Sequence, residues 1–530
     1  MMPMRCLGGV LSLFLVLTLT GCRDEGPLCA EGQSACEGTC VDLSSSASRC
    51  GACDVACSAT QQCVQGACGC RAGTVLCGGA CVVPASDPAH CGGCAGEGGV
   101  ACGAEQVCER GECKAACALP SSVLCGRSCV DVRSDGFHCG GCDEVCTDAR
   151  SCHAGLCTND VVAACFNTGQ VVGIQAGTDV KGPAVGVGTA PISLATLQDV
   201  LLVVDVSSRL LQARLSDYGE LPARTATGLV PNQVLTREPF VFVINSTSNT
   251  LQVLRREGAP APGPGPRFPS GLTLTNVGSV NFGGNTNPYA FTLEGTEAYV
   301  TLLGNLQSDA SAGGRVARVS LADPTAPVIT EVYVLPSGEA LQPFPGRVTL
   351  SAPAGITSFR GRVYATLGNL DARDYAAGGP GFLARIDPGS RAVDLLELGG
   401  TCLNPYWVQA VGERLLVSCG GGATYDEDFN LTDVRGTGLV LLDAEGRVLH
   451  FLPLGCPEAT SCPLASAGRF AVVGSRAYVG DNNAGRVFVI EVVGDTLVER
   501  KGLGPGAAPP IAVCPRSTGP SLVSDVLAVP

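Results

Sequence analysis

The sequence predicts an all-β protein: a seven-bladed β-propeller preceded by three small disulfide-rich modules. Three observations carry that prediction. First, 24 of the 32 cysteines lie between Cys29 and Cys157, in three sets of eight. Five of the seven gaps within a set hold 3, 9, 2, 5 and 4 residues in every copy, which is a tandem repeat and not chance. Second, short apolar runs bounded by Gly, Asn, Asp and Ser recur from residue 161 onward. Third, 71 glycines beside a charged fraction of only 15% favour strands and turns over helices.

Composition also excludes function classes. A net charge of -14 lacks the basic footprint that phosphate binding needs, so nucleic acid is not a partner. Four histidines in 530 residues limit proton-transfer chemistry. One of them, His450, falls in a predicted strand, where a structural role is the ordinary one. No GxSxG, Walker-type GK[ST] or HExxH pattern occurs. Arginine greatly outnumbers lysine, which reads as a genome bias and not as a binding feature.

Residues 1–21 read as an export signal, with Arg5 in the basic region and Leu7–Leu19 as the apolar region. That run is too short to span a bilayer as a permanent helix. It ends in Leu19-Thr20-Gly21-Cys22, which resembles the lipobox of bacterial lipoproteins. The resemblance implies cleavage before Cys22, acylation of that cysteine, and a lipid-anchored N-terminus followed by a linker, residues 22–28. Two or more acyl chains give stable attachment where one does not. Arg23 replaces the aspartate that retains inner-membrane lipoproteins, so the resemblance points to the outer membrane.

The three modules span residues 29–68, 70–113 and 117–157. Units of this size rarely fold on a core alone, and an exported chain with paired cysteine counts points to disulfides. Eight cysteines allow 105 pairings, and the sequence does not choose among them. Zinc or a redox dithiol is the rival reading of Cys50-x2-Cys53, Cys91-x2-Cys94 and Cys139-x2-Cys142, with His90 and His138 beside two of them. Arg49 in place of histidine in the remaining, first copy, eight thiols per module and export favour structural bridges. The segments CVDLSSSASRCGACDVAC and CVDVRSDGFHCGGCDEVC resemble the repeats of the stigma-specific protein family. That likeness implies an extracellular interaction or spacer module, with no catalytic residue.

Residues 161–530 form the predicted propeller. Its second strands are Leu201–Val206, Phe240–Asn245, Ala298–Leu303, Arg362–Leu367, Arg414–Cys419 and Arg476–Asp481. A first strand precedes each, usually opening on proline, as at Pro191, Pro231, Pro288, Pro405 and Pro463. A polar turn and a third strand follow, and often a fourth. Six whole units fit between residues 186 and 505, and the leftovers Cys165–Gln175 and Ser521–Val529 complete a seventh across the chain ends. Ring closure hides free sheet edges. Runs such as RVYATL and AYVTLL resemble the YVTN-type, lactonase-like propellers of bacterial surface proteins. Residues 256–270, rich in proline and glycine, read as a stiff extended loop between units.

Three pairings are expected among the remaining cysteines: Cys165 with Cys514 across the chain ends, Cys402 with Cys419, and Cys456 with Cys462. The candidate binding site is one propeller face with three successive long turns, Gly304–Gly314, Gly368–Pro380 and Gly420–Thr437. Their chemistry is acidic and amide-rich: Asn305 and Asp309; Asn369, Asp371, Asp374 and Tyr375; Tyr425, Asp426, Glu427, Asp428 and Asp433. Such oxygens suit a polar, hydroxyl-rich ligand or Ca²⁺, although the full calcium-loop pattern is missing. The plain alternative is a set of solvated insertions. Trp407, the only tryptophan, sits beside Tyr406 on an inner-strand candidate; core packing is the ordinary role for it, and lining a central channel is the alternative.

Two function classes follow. One is a membrane-anchored surface or periplasmic lipoprotein, a disulfide-stiffened stalk holding a propeller that binds or scaffolds an extracellular protein or glycan. The other is an exported hydrolase or lyase acting on a carbohydrate or lactone through acidic loop residues. Titratable groups converging at the channel mouth would distinguish the second from the first.

Overall fold

The computed structural model describes residues 34–529 except 38, 120–121, 143, 148–149, 154, 262–266, 305–313, 426–430, 455–463 and 515–521. Among the described residues, seven antiparallel sheets of the propeller type follow the cysteine-rich region. The first combines Val161–Cys165, Gln170–Gln175 and Val180–Gly186 with the distant strand Val523–Ala528. The other six are built in chain order, each from four successive main strands. The inner strands Pro191–Leu197, Pro231–Arg237, Pro288–Glu294, Pro353–Phe359, Pro405–Val411, Ala467–Val473 and Val523–Ala528 touch one another in that order. The last also touches the first, so the ring closes.

Five inner strands open on proline because a first-strand residue needs no ladder N–H. The sixth opens at Ala467 instead, and Pro463 lies outside the described residues. A register shift sits just after the opening residue in all six, for example between Pro191 and Ser193. Second strands such as Val200–Asp205 are buried at every position. They read as unbroken apolar runs because neighbouring blades cover both faces. The core is accordingly divided into seven clusters, one between each pair of adjacent blades.

The end of the second strand is tied back to the loop before the inner strand, by different chemistry in different blades. In the second blade Asp205 Oδ2 accepts from the N–H of Thr189 and of Ala190, both at 2.8 Å. In the seventh, Asp481 Oδ1 accepts from Ser466 N–H at 3.0 Å. Cys419 occupies the same place in the sixth, bonded to Cys402. A covalent bridge there replaces a carboxylate bracket.

The cysteine modules share one connectivity. In the second and third, the first cysteine bonds the third, the second the fifth, the fourth the seventh, and the sixth the eighth. The first module shows the last three of these bonds. Sulfur groups such as Cys91, Cys102 and Cys108 lie close together, but each is already bonded and offers no thiolate. Within the Cys91-x2-Cys94 spacing the two cysteines have different partners, Cys108 and Cys77. Modules two and three are further joined by parallel pairing of Val107–Glu109 with Ser128–Val130. The buried Glu109 accepts from the N–H of Ala118 and Leu119 at that junction.

Two expectations need correction. The modules do not stand away from the propeller as a stalk; they fold back on one face of it. Lys181 Nζ of the first blade meets Asp42 Oδ2 of the first module at 2.7 Å. Tyr218 Oη donates to Asn159 Oδ1 at 2.6 Å, and Arg150 donates to the Ser216 carbonyl. Complementary charge and partly buried hydrogen bonds hold this contact, and cysteine spacing encodes neither. Residues 256–270 are not a linker between units either. They fall between third and fourth strands of one blade, Thr250–Glu257 and Thr273–Asn281. Phe268 and Leu272 then pack beneath the preceding blade, where Gln212 Nε2 donates to the Leu272 carbonyl at 2.9 Å.

Candidate functional site

Antiparallel blades send every turn between second and third strands to one face, together with the loops that lead into the inner strands. The modules contact the opposite face, where Arg150 donates to the Ser216 carbonyl in the turn Leu215–Gly219 and Gln175 Nε2, beside the turn Ala176–Asp179, donates to Ser151 Oγ at 3.2 Å; both turns join third and fourth strands. The long turns and the modules are therefore on opposite sides of the disc.

On the long-turn side, the loops of the fourth and fifth blades are joined into one platform, and the long turn of the sixth approaches it at Gly422, close to Ala377. Its centre is a segment the sequence reading missed, residues 335–352. It carries a short 3-10 turn, Gly338–Leu341, and a two-residue strand, Thr349–Leu350, paired with Leu370–Asp371. Leu335 N–H donates to the Gly314 carbonyl at 2.9 Å, joining this segment to the first long turn. Phe344 N–H donates to the Gly378 carbonyl at 2.7 Å, joining it to the second. The third is a protruding ribbon, Arg414–Tyr425 with Leu431–Leu442, fastened by Ser466 Oγ on the Gly420 carbonyl at 2.9 Å. Phe344 (41% exposed) and Val348 (60% exposed) face solvent from this platform.

The predicted site residues divide into three groups. Asn305, Asp309, Asp426, Glu427 and Asp428 lie outside the described residues, as do Cys22, Cys456 and Cys462. Tyr425 ends the ribbon strand, and Tyr375 sits in a turn at a φ of 59°. Asn369 and Asp371 are engaged inside the protein, which corrects their reading as open oxygen ligands, and Asp374 and Asp433 are each paired with an arginine at the surface. Asn369 is buried, and its Nδ2 donates to the carbonyls of Leu341 (2.7 Å) and Pro380 (2.8 Å). Asp371 is buried between Arg373 (2.6 Å) and Arg347 (3.3 Å). Asp374 pairs with Arg347 at 2.6 Å, and Asp433 with Arg435 at 2.7 Å. The signal was present as a repeated Asp-x-Arg, in Asp371-Ala372-Arg373 and Asp433-Val434-Arg435. A carboxylate spent on a guanidinium has little left for a cation.

Hydrogen bonds from Arg373 hold the Asp371 carboxyl far below its ordinary range. The Arg347 guanidinium lowers Asp374 as well. A depressed carboxylate contributes stability that is complete above its unfolded pKa and is lost as pH falls towards the folded one. The Asp371 pairs with Arg373 and Arg347 should therefore persist as pH falls through the ordinary carboxylate range, about 4, and loosen only below it. Carboxyl ¹³C shifts of Asp371 followed by NMR check this. Titration of Asp371 near its ordinary value would refute the pairing.

The propeller axis holds the second cluster that sequence reasoning missed. Arg469, 2% exposed, projects from the seventh blade's inner strand. It pairs with Asp525 at 3.7 Å, donates to the Asn232 carbonyl at 3.0 Å, and lies 4.7 Å from the Trp407 ring centroid. Tyr406 and Tyr289, whose hydroxyls are 2.7 Å apart, complete the group. Burial raises the Tyr289 hydroxyl well above its usual pKa, so it stays protonated. Asp525 also accepts from Leu194 N–H at 2.8 Å. One side chain thus contacts inner strands from both sides of the ring. Trp407 packs in the core as expected, and also forms the platform under this guanidinium. Only glycine fits at Gly355, where a Cβ would meet Trp407 Cα and the Tyr406 carbonyl, both at 2.7 Å. His450 is structural: its Nδ1 accepts from Leu497 N–H of the next blade at 3.2 Å.

The model of the Stigma-specific STIG1-like protein family matches residues 103–160, the end of the second module and all of the third. No curated protein matches the chain. Among solved structures, a putative 6-phosphogluconolactonase from Bacteroides fragilis aligns at 11% identity and a TM-score of 0.46, over 70% of this chain and 97% of its own. Hydrazine synthase of Kuenenia stuttgartiensis aligns at 14% and 0.41, over 57% and 76%. BamB from Moraxella catarrhalis aligns at 14% and 0.37, over 64% and 86%. Likenesses this distant carry no functional argument. The fold assignment rests on the strand pairing described above.

Proposed function

We propose that this chain is an outer-membrane lipoprotein, anchored through Cys22, whose propeller is a binding or scaffold module for an extracellular protein or glycan. The observation that supports it is the separation of faces. The N-terminal modules, which follow the anchor, occupy one face, and the joined loops of two blades, with the long turn of a third beside them, form a platform on the other. A rigid scaffold that gathers long loops on one side is the usual arrangement for binding. Phe344 and Val348 supply apolar contact there, with the Asp374–Arg347 pair next to Val348 in the chain.

Two experiments test this. Cys22→Ser should release the chain from membranes or block its processing; a variant that stays membrane-bound and is cut at the same site sinks the anchor. Combined Asp426→Ala and Asp428→Ala should abolish binding to surface glycans or to a partner protein without changing the melting temperature. Unchanged binding would reduce the loops to solvated insertions. A rise in melting temperature with Ca²⁺, lost in the same variant, places the ion among these carboxylates. If Ca²⁺ has no effect, a hydroxyl-rich or protein ligand is the reading that stands.

A further inference from the structure

The face opposite the platform contains a cleft of about 290 Å³ where the first module, the third module and the first blade meet. We propose that this cleft is a second binding site, for a small hydroxyl-rich molecule: a single-ring sugar or sugar acid. Its size lies at the lower end for small-molecule sites, which suits one ring and not a chain. Three parts of the sequence far apart from one another build it. Ser45, Ser48 and Gln62 come from the first module, Thr147 from the third, and Gln175 and Val180 from the propeller. The cleft exists only because the modules fold back.

Its chemistry is mixed in the way a sugar needs. Hydroxyl and amide groups line one part, while Ala47, Ala56 and Ala59 give a smooth aliphatic wall for ring C–H groups. Ser45 lines the cleft at 7% exposure, and its buried Oγ has no hydrogen-bond partner. Among the lining residues Arg71 alone is charged, and none is acidic, in a chain with a net charge of -14. A carboxylate on the sugar is therefore accepted and not repelled.

The walls are also fixed in advance. The bridges Cys50–Cys63 and Cys57–Cys68 run along the module side. Arg71 donates to the Ala59 carbonyl at 3.2 Å and lies 5.2 Å from the Phe137 ring centroid, which ties the first module to the third. The Lys181–Asp42 pair ties it to the propeller. A site held rigid before binding loses less entropy when occupied.

The test is isothermal titration of the full, oxidised chain with D-glucose and with D-glucuronate, at sugar concentrations up to about 50 mM, which reads millimolar affinities. Saturable binding of at least one sugar is expected. Gln62→Ala should weaken it at least tenfold, and Val180→Trp, which fills the cleft from the propeller side, should abolish it. Val328→Thr, on the exposed outer strand of the fourth blade, should leave it unchanged. Binding of both sugars assigns recognition to the hydroxyl and amide wall; binding of glucuronate alone adds Arg71. If Gln62→Ala fails to fold, Val180→Trp carries the comparison. No saturable binding of either sugar, or binding that survives Val180→Trp, overturns the proposal. Failure here leaves the platform on the other face untouched.

Discussion

Asp525→Ala is expected to destabilise the propeller by about 3–5 kcal/mol, the usual cost of breaking a buried ion pair by removing one partner. Arg469 would remain 2% exposed, with an uncompensated charge on the ring axis. The Leu194 N–H would lose its acceptor at the same time. Asp525 sits on the strand that enters the first blade from the C-terminal end, so the loss falls on ring closure itself. Urea denaturation of the oxidised chain measures the effect. Asp525→Asn keeps a hydrogen-bonding group without the charge and should fall between the two. A double variant, Asp525→Leu with Arg469→Met, should recover much of the loss, because an apolar replacement leaves no charge buried. A loss below about 1 kcal/mol for Asp525→Ala would show the pair to be dispensable.

Removing the Cys165–Cys514 bridge should cost up to about 5 kcal/mol on the loop-length model, since it closes the chain across 349 residues. Both cysteines are buried, and Cys165 lies on the strand that pairs directly with Val523–Ala528. The double variant Cys165→Ala, Cys514→Ala should unfold at lower urea and release the C-terminal strand first, seen as fast amide exchange at residues 523–528. The Cys402–Cys419 bridge spans only 17 residues and is the internal control, with an expected contribution of about 3 kcal/mol. If removing the short bridge costs more than removing the long one, loop closure is not what the long bridge supplies.

The two kinds of carboxylate in this protein show where sequence reading reaches its limit. Asp371 and Asp433 looked like open ligands because acidic residues cluster in long turns. Each has an arginine two residues on, and a carboxylate beside a guanidinium is neutralised locally. That signal was legible. Asp525 and Arg469 were not, because they meet only when the inner strands Ala467–Val473 and Val523–Ala528 come side by side at the ring axis, and nothing near either residue marks it as buried and charged.

Sequence alone determined what depends on local spacing. The cysteine gaps mark the three modules, and the apolar runs mark the strands, because a residue covered on both sides must be apolar whichever neighbour covers it. Pro191, Pro231, Pro288 and Pro405 mark where inner strands open, for the equally local reason that proline has no N–H to pair. Tertiary structure decided everything that requires two distant segments to meet. It selected one disulfide pattern from 105, because the choice depends on which sulfurs the folded backbone brings within bonding reach. It laid the modules against the propeller through Lys181 and Asp42, 139 positions apart in the numbering. It placed a single arginine at the centre of the ring, where the charge is tolerable only because Asp525, two carbonyls and an aromatic face converge on it.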